Sequence, residues 1–252
     1  MNPPPWFSTG AKLKGRVFPS ALEALRCLET EDAFHESLIP ELALFHVSDC
    51  LATSIHVNAA GQHSVAITLL RGSLEGLTLV DLGLQANEYR LPKLKKWSEG
   101  KLTAGDIRKG LARDVWPSYG EGLWNEPWSQ FFGNLARALH PYAHYSPELM
   151  GWQFSLPPTY SGGRMVAILG PSTYDPLKAT RITLLHALVI WTVGNLAVLS
   201  GHLNSSGSLT RGLSELRRQI GESGLLFREG DWGVELMPHV WFDRSVDWRK
   251  QA

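Results

Sequence analysis

ITLLHALVIWTVGNLAVL, residues 182–199, decides the architecture. It contains no Asp, Glu, Lys or Arg, and the uncharged run continues to Leu209. Its length is just enough to cross a bilayer, which takes about 20 apolar residues. Yet His186, Thr192 and Asn195 interrupt it, and neither an aromatic belt nor a basic cluster flanks it. A helix apolar on every side is also what the centre of a soluble bundle requires. The stretch is therefore predicted to be a buried central helix, starting near Pro176, with no stable membrane insertion.

Outward from it, SLTRGLSELRRQIGES (208–223) reads as a polar amphipathic helix. On the N-terminal side the period changes: MGWQFSLPP and RMVAILGP, separated by TYSGG, predict an inserted β-hairpin at 150–170. Farther back, PELALFHVSDCLATSIHVNAAG reads as a helix opened by Pro40 and stopped at Gly61. HSVAITLLRGSLEGLTLVDLGLQA (63–86) follows so closely that the two must form an antiparallel hairpin. PSALEALRCLETEDAFHES (19–37) supplies an earlier helix, and WSQFFGNLARALHPYAHYS a later one. NEYRLPKLKKWSEGKL, with Lys93, Lys95, Lys96 and Lys101, reads as a solvated linker, after which Thr103 caps a short helix. The expectation is a mainly α protein: one helical domain over 1–252 with the hairpin inserted. The Trp-rich tail, 224–252, is expected to pack on the bundle.

The bulk numbers agree with a globular chain. At 252 residues, 44% hydrophobic and 19% charged, it can bury one large core. Twenty-four basic residues balance twenty-four acidic ones, so no global field draws it to nucleic acid or an anionic membrane. Cys27 and Cys50 lack a CxxC spacing and are expected to be buried small hydrophobes. The first residues, MNPPPWFSTGAKLKGRVF, do not read as a signal peptide, and a cytoplasmic location is the default expectation.

Two constellations carry chemistry-bearing residues. In RALHPYAHYS (137–146), Arg137 and His144 are nearly two helical turns apart, with His140 between them. Pro141 removes an N–H, so the helix is expected to bend or restart there, leaving free amides near His144. Histidine and arginine together suit RNA transesterification, in which histidine moves a proton and arginine neutralises the phosphorane. The HxxxH spacing of His140 and His144 has no third ligand, so neither a metal nor another cofactor is expected. In LLRGSLEGLTL, Arg71 and Glu75 lie four apart in an apolar helix and are expected to pair. They would also serve to orient Arg137 or His144. Gly72 and Gly76 make a thin face where another helix can approach closely. His46 and Asp49 read as ordinary polar edges of their helix.

Arg-x6-His late in an all-helical bundle, beside the apolar helix pair containing LLRGSLEG, resembles the HEPN superfamily. The resemblance implies a HEPN-like bundle, commonly a homodimer, in a toxin–antitoxin or antiviral defence setting. It implies a metal-independent endoribonuclease acting on RNA, with Arg137 as phosphate clamp, His144 as general base or acid and His140 as auxiliary. An antitoxin or other protein partner belongs to the same setting. The alternative is a non-enzymatic helical interaction protein that binds a partner through its Trp-rich loops.

Overall fold

The computed structural model describes residues 4–28, 33–123, 125–146, 149, 152–153, 174–201 and 207–223. Among them are eight α-helices and no strand. The helices are α1 (Pro5–Arg26), α2 (Phe34–Ala59), α3 (His63–Gly83), α4 (Asn87–Ser98), α5 (Ala104–Asp114), α6 (Trp128–Leu139), α7 (Pro176–Leu199) and α8 (Gly207–Glu222). The described residues form an all-α bundle.

α7 is the central helix. It packs against α1, α2, α3 and α8, and Ile182, Leu184, Leu188, Val189, Val193 and Leu196 are fully enclosed. Lys178–Leu199 and Phe34–Ala59 are both long and apolar enough to cross a membrane. In α7, however, 78% of that apolar window is buried by other helices of the same chain. Its hydrophobicity is satisfied by the core. α1 packs on α7 at Gly10, where an added Cβ would meet Ile190 Cδ1 at an ordinary 3.6 Å.

α2 and α3 form the expected antiparallel hairpin, turned at Gly61 with φ +81°. The glycine face of α3 is what brings them together. A Cβ at Gly76 would lie 2.6 Å from Val47 Cγ2 and 3.0 Å from Ala43 O. At the far end of α3, Gly83 packs directly under the Pro40 ring and beside Leu25. Thr103 caps α5 as expected. Its Oγ1 accepts from Asp106 N (3.1 Å), while Asp106 Oδ2 accepts from Thr103 N (3.3 Å).

Several expectations are corrected. α1 begins at Pro5 rather than near residue 19, with Trp6, Gly10, Leu13, Val17, Ala21 and Ala24 on its buried face. α2 begins at Phe34, so Pro40 lies inside it, one backbone hydrogen bond short, rather than opening it. The basic segment 87–98 is helix α4, not a linker; it buries only Arg90 and Leu94, four apart. Cys50 is buried, but Cys27 is exposed. Trp152 and Gln153, inside the segment expected to form the hairpin, are helical. The rest of 150–170 and the tail 224–252 lie outside the described residues.

Two buried polar groups tie the helices at depth. Arg90, 1% exposed, donates from Nη1 to Gly83 O (3.1 Å), from Nε to Asn87 Oδ1 (2.9 Å) and from Nη2 to Leu28 O. It thereby clasps the end of α3, the start of α4 and the segment after α1. Asp81 of α3 is wholly buried and accepts from Trp116 Nε1 (2.6 Å), Tyr119 Oη (2.6 Å) and Gln85 Nε2 (3.2 Å).

Burial pushes the Asp81 carboxyl up from 3.8 to about 6, against the opposing pull of those three donors. An acid whose pKa is raised in the folded state stabilises that state below its unfolded pKa and loses the contribution as pH rises through the folded one. Between pH 4 and pH 7 this group should therefore cost the protein about 2 kcal/mol. Asp81→Asn, which cannot ionise, should remove that part of the pH slope. Urea unfolding at both pH values, for both proteins, measures it. Equal slopes would show that Asp81 does not titrate in this range.

Candidate functional site

Along the α2–α3 seam, an open groove of about 680 Å³ is left on the surface. Ile39, Leu42 and Ala43 of α2, Leu79 of α3 and Trp97 of α4 give it an apolar floor. His46 of α2, Arg71 and Glu75 of α3 and His144 supply its polar edge. Gly72 and Gly76 also line it, so the thin face that seats α2 keeps the backbone of α3 open to the groove.

α6 ends at Leu139, and His140–Ala143 form a 3₁₀ turn, as the missing Pro141 N–H requires. Beyond it His144 is extended (φ −135°, ψ 167°), not the first turn of a restarted helix. The free amides of a helix start are therefore not at His144. Arg137 and His144 also do not share a helix face. Tyr142, Ala143 and His144 reach the groove, whereas Arg137 and His140 are exposed and do not line it.

Arg71 and Glu75 are paired, with Nη1 3.4 Å from Oε1. The pair is lopsided: the Arg71 side chain is 18% exposed and that of Glu75 61%. Arg71 Nε is buried and has no hydrogen-bond partner. Burial lowers the pKa of Arg108 on α5, and the neighbouring charge of Arg71 lowers it further while Glu75 opposes both. Two guanidinium groups thus lie near one carboxylate, and the positive charge this leaves suits a phosphate or a carboxylate.

His46 was passed over in the sequence as a polar helix edge. It is the second histidine of the groove, and its Nε2 lies 3.5 Å from Cys50 Sγ. It stands opposite Gly72, where a Cβ would meet Cys50 Sγ at 3.7 Å and His46 Nε2 at 3.9 Å, a placement that no local sequence pattern marks. Burial, then the charge of Asp49, pushes the Cys50 thiol up, so it is a poor nucleophile.

A second histidine–hydroxyl contact lies in the core and has the wrong surroundings for catalysis. Ser54 Oγ is 2.8 Å from His186 Nε2, the spacing of an activated nucleophile. Both residues are buried, at 0% and 3% exposure, and the hydroxyl donates to Ala66 O (2.8 Å). With its one proton committed, Ser54 must accept from His186. Burial, with a smaller effect of Lys14, holds the His186 imidazole neutral, down to about 3. Substrate cannot reach this pair, which cross-links α2, α3 and α7. His63, donating from Nδ1 to Asn58 Oδ1 (2.8 Å) and accepting at Nε2 from Asp175 N (3.0 Å), plays a similar structural part where α7 begins.

Among the described residues, no group of three or more His, Cys, Asp and Glu side chains is placed to hold a metal ion. No family model matches the chain, and no curated protein or solved structure matches it either.

Proposed function

We propose that this protein is a metal-independent endoribonuclease and that the α2–α3 groove is its active site. One observation carries the reading: two histidines, His46 and His144, and an arginine, Arg71, line the same open groove. Phosphodiester transesterification needs a base, an acid and a cationic clamp. His144 takes the proton from a ribose 2′-hydroxyl, whose oxygen attacks phosphorus. His46 gives a proton to the departing 5′-oxygen as the P–O5′ bond breaks, leaving a 2′,3′-cyclic phosphate. Arg71, steadied by Glu75 and flanked by Arg108, neutralises the phosphorane. The clamp role that the HEPN resemblance assigns to Arg137 passes to Arg71, because Arg137 stands outside the groove. A toxin or phage-defence role in the cytoplasm, as a homodimer checked by a partner, completes the proposal.

Induced expression of wild type beside His144→Ala, with total RNA examined from both cultures, tests it. Growth arrest with fragmented RNA in wild type alone is expected. A second reading has its own observation: Leu42 and Phe45 of α2 are 63% and 48% exposed beside the groove. An apolar helix face of this kind suits a protein partner. Intact RNA in both cultures would favour that interaction role.

A further inference from the structure

The proposed reaction uses only the polar edge of the α2–α3 groove and leaves its apolar end without a task. Leu42 of α2, Leu79 of α3 and Trp97 of α4 line that end. Leu42 is 63% exposed, while Trp97 is half-buried, packed against the core and also open to the groove. A large aromatic ring anchored on a core yet facing a groove is a stacking platform.

The spacing suits a nucleotide. Arg71 and Leu79 both line the groove and stand eight residues apart on α3, about 12 Å along its axis. A strand reacting between His46, His144 and Arg71 therefore brings a neighbouring base to the apolar end. The groove, about 680 Å³, has the volume of a drug-sized ligand and takes about one or two nucleotides. A base inside a duplex is stacked on its own neighbours; an unpaired base is free to lie on an indole.

The helix that carries Trp97 is basic. Residues 87–114, which hold α4 and α5, contain eight Lys and Arg against four Asp and Glu, in a chain that balances overall. Lys93 stands four residues before Trp97 on the same side of α4, and the exposed Lys96 stands three after Lys93. Burial lowers the Lys93 pKa, Asp114 opposes this, and the charges of Arg113 and Lys96 lower it further, so these cations gather on one surface.

Taking the groove to be the RNA site proposed above, we propose that its apolar end is a base-stacking subsite selecting single-stranded RNA. Trp97 carries an unpaired base beside the reacting phosphate, Leu42 and Leu79 flank it, and Lys93 and Lys96 hold the backbone as the strand leaves.

A 2′-O-methyl pentanucleotide, which has no free 2′-hydroxyl to attack phosphorus, tests this without cleavage. It carries a central 2-aminopurine to report stacking and a terminal fluorescein whose anisotropy gives the affinity. Full-length wild type should bind it and quench the 2-aminopurine, and an unlabelled duplex of the same sequence should not compete. Trp97→Ala should weaken binding roughly ten-fold, within the range for one stacked base, while Trp97→Phe should keep most of the affinity. Lys93→Ala and Lys96→Ala together should reduce the slope of log affinity against log salt by about 1.4. Absence of binding by wild type, affinity unchanged in Trp97→Ala, equal loss in Trp97→Phe, or effective competition by duplex would each overturn the subsite. The probe reads binding alone. RNA fragmentation without Trp97-dependent quenching removes the subsite and leaves the nuclease, whereas quenching by a protein that leaves RNA intact supports the subsite and removes the reaction.

Discussion

Purified protein carrying His144→Ala is expected to cleave an oligoribonucleotide roughly 10²–10⁴-fold more slowly than wild type, the usual contribution of a positioned acid or base. Its melting temperature should not move, because His144 is exposed and exposed substitutions away from caps and ion pairs are nearly neutral. His46→Ala should lose activity to a similar extent. The two histidines act in one proton-transfer sequence, so the double variant should fall about as far as the worse single variant. Arg71→Ala should lose roughly 10²–10³-fold through the lost clamp. Arg137→Ala should cleave like wild type, because Arg137 does not line the groove. Initial rates on a fluorescently labelled strand give all these comparisons. An Arg137 variant as impaired as His144→Ala would place the chemistry elsewhere.

Gly83→Ala should destabilise the fold by about 3 kcal/mol or more, near the upper end for overpacking by one methyl. The added Cβ would fall inside the van der Waals shell of Pro40 Cβ and Cγ and 2.9 Å from Leu25 Cδ2. A proline ring cannot rotate out of the way. Shifting it moves α2, which is held along its length by α3 and α7. For a chain of this size the melting temperature should drop by roughly 6–12 °C. Gly72→Ala provides the contrast, since its Cβ meets Cys50 Sγ at an ordinary 3.7 Å. That substitution should be neutral or stabilising, because alanine favours a helix interior by about 1 kcal/mol over glycine. Thermal and urea unfolding of both variants decides the point. If Gly83→Ala unfolds with wild type, the tight meeting of α1, α2 and α3 at Gly83 is not present in solution.

The elements most legible in the sequence are those whose signal is local. The uncharged run of α7, the Gly61 turn of the α2–α3 hairpin and the Thr103 cap each announce themselves within a few residues. α4 was hidden because two buried positions, Arg90 and Leu94, do not make a periodic stripe and Pro92 interrupts its middle. α1 was cut short at Pro19, although its apolar face starts at Trp6. The candidate site was half legible. Arg71 and Glu75 were recognisable because charges four apart in an apolar helix must pair. His144 was recognised from its neighbours Arg137 and His140, which do not accompany it into the groove. His46 reaches the site from another helix, and that convergence is a property of the packing and not of any stretch of chain.

Arg90 sets where this protein can be cut. Its guanidinium, enclosed in the interior, takes one of its acceptors from Leu28, more than sixty residues upstream. A fragment starting at Phe34 would keep the central hairpin yet leave a buried cation short of that acceptor, the kind of loss an interior tolerates least. The N-terminal helix and the strand of chain after it are thus no removable appendage. Fragments trimmed to the α2–α7 core should express as insoluble material.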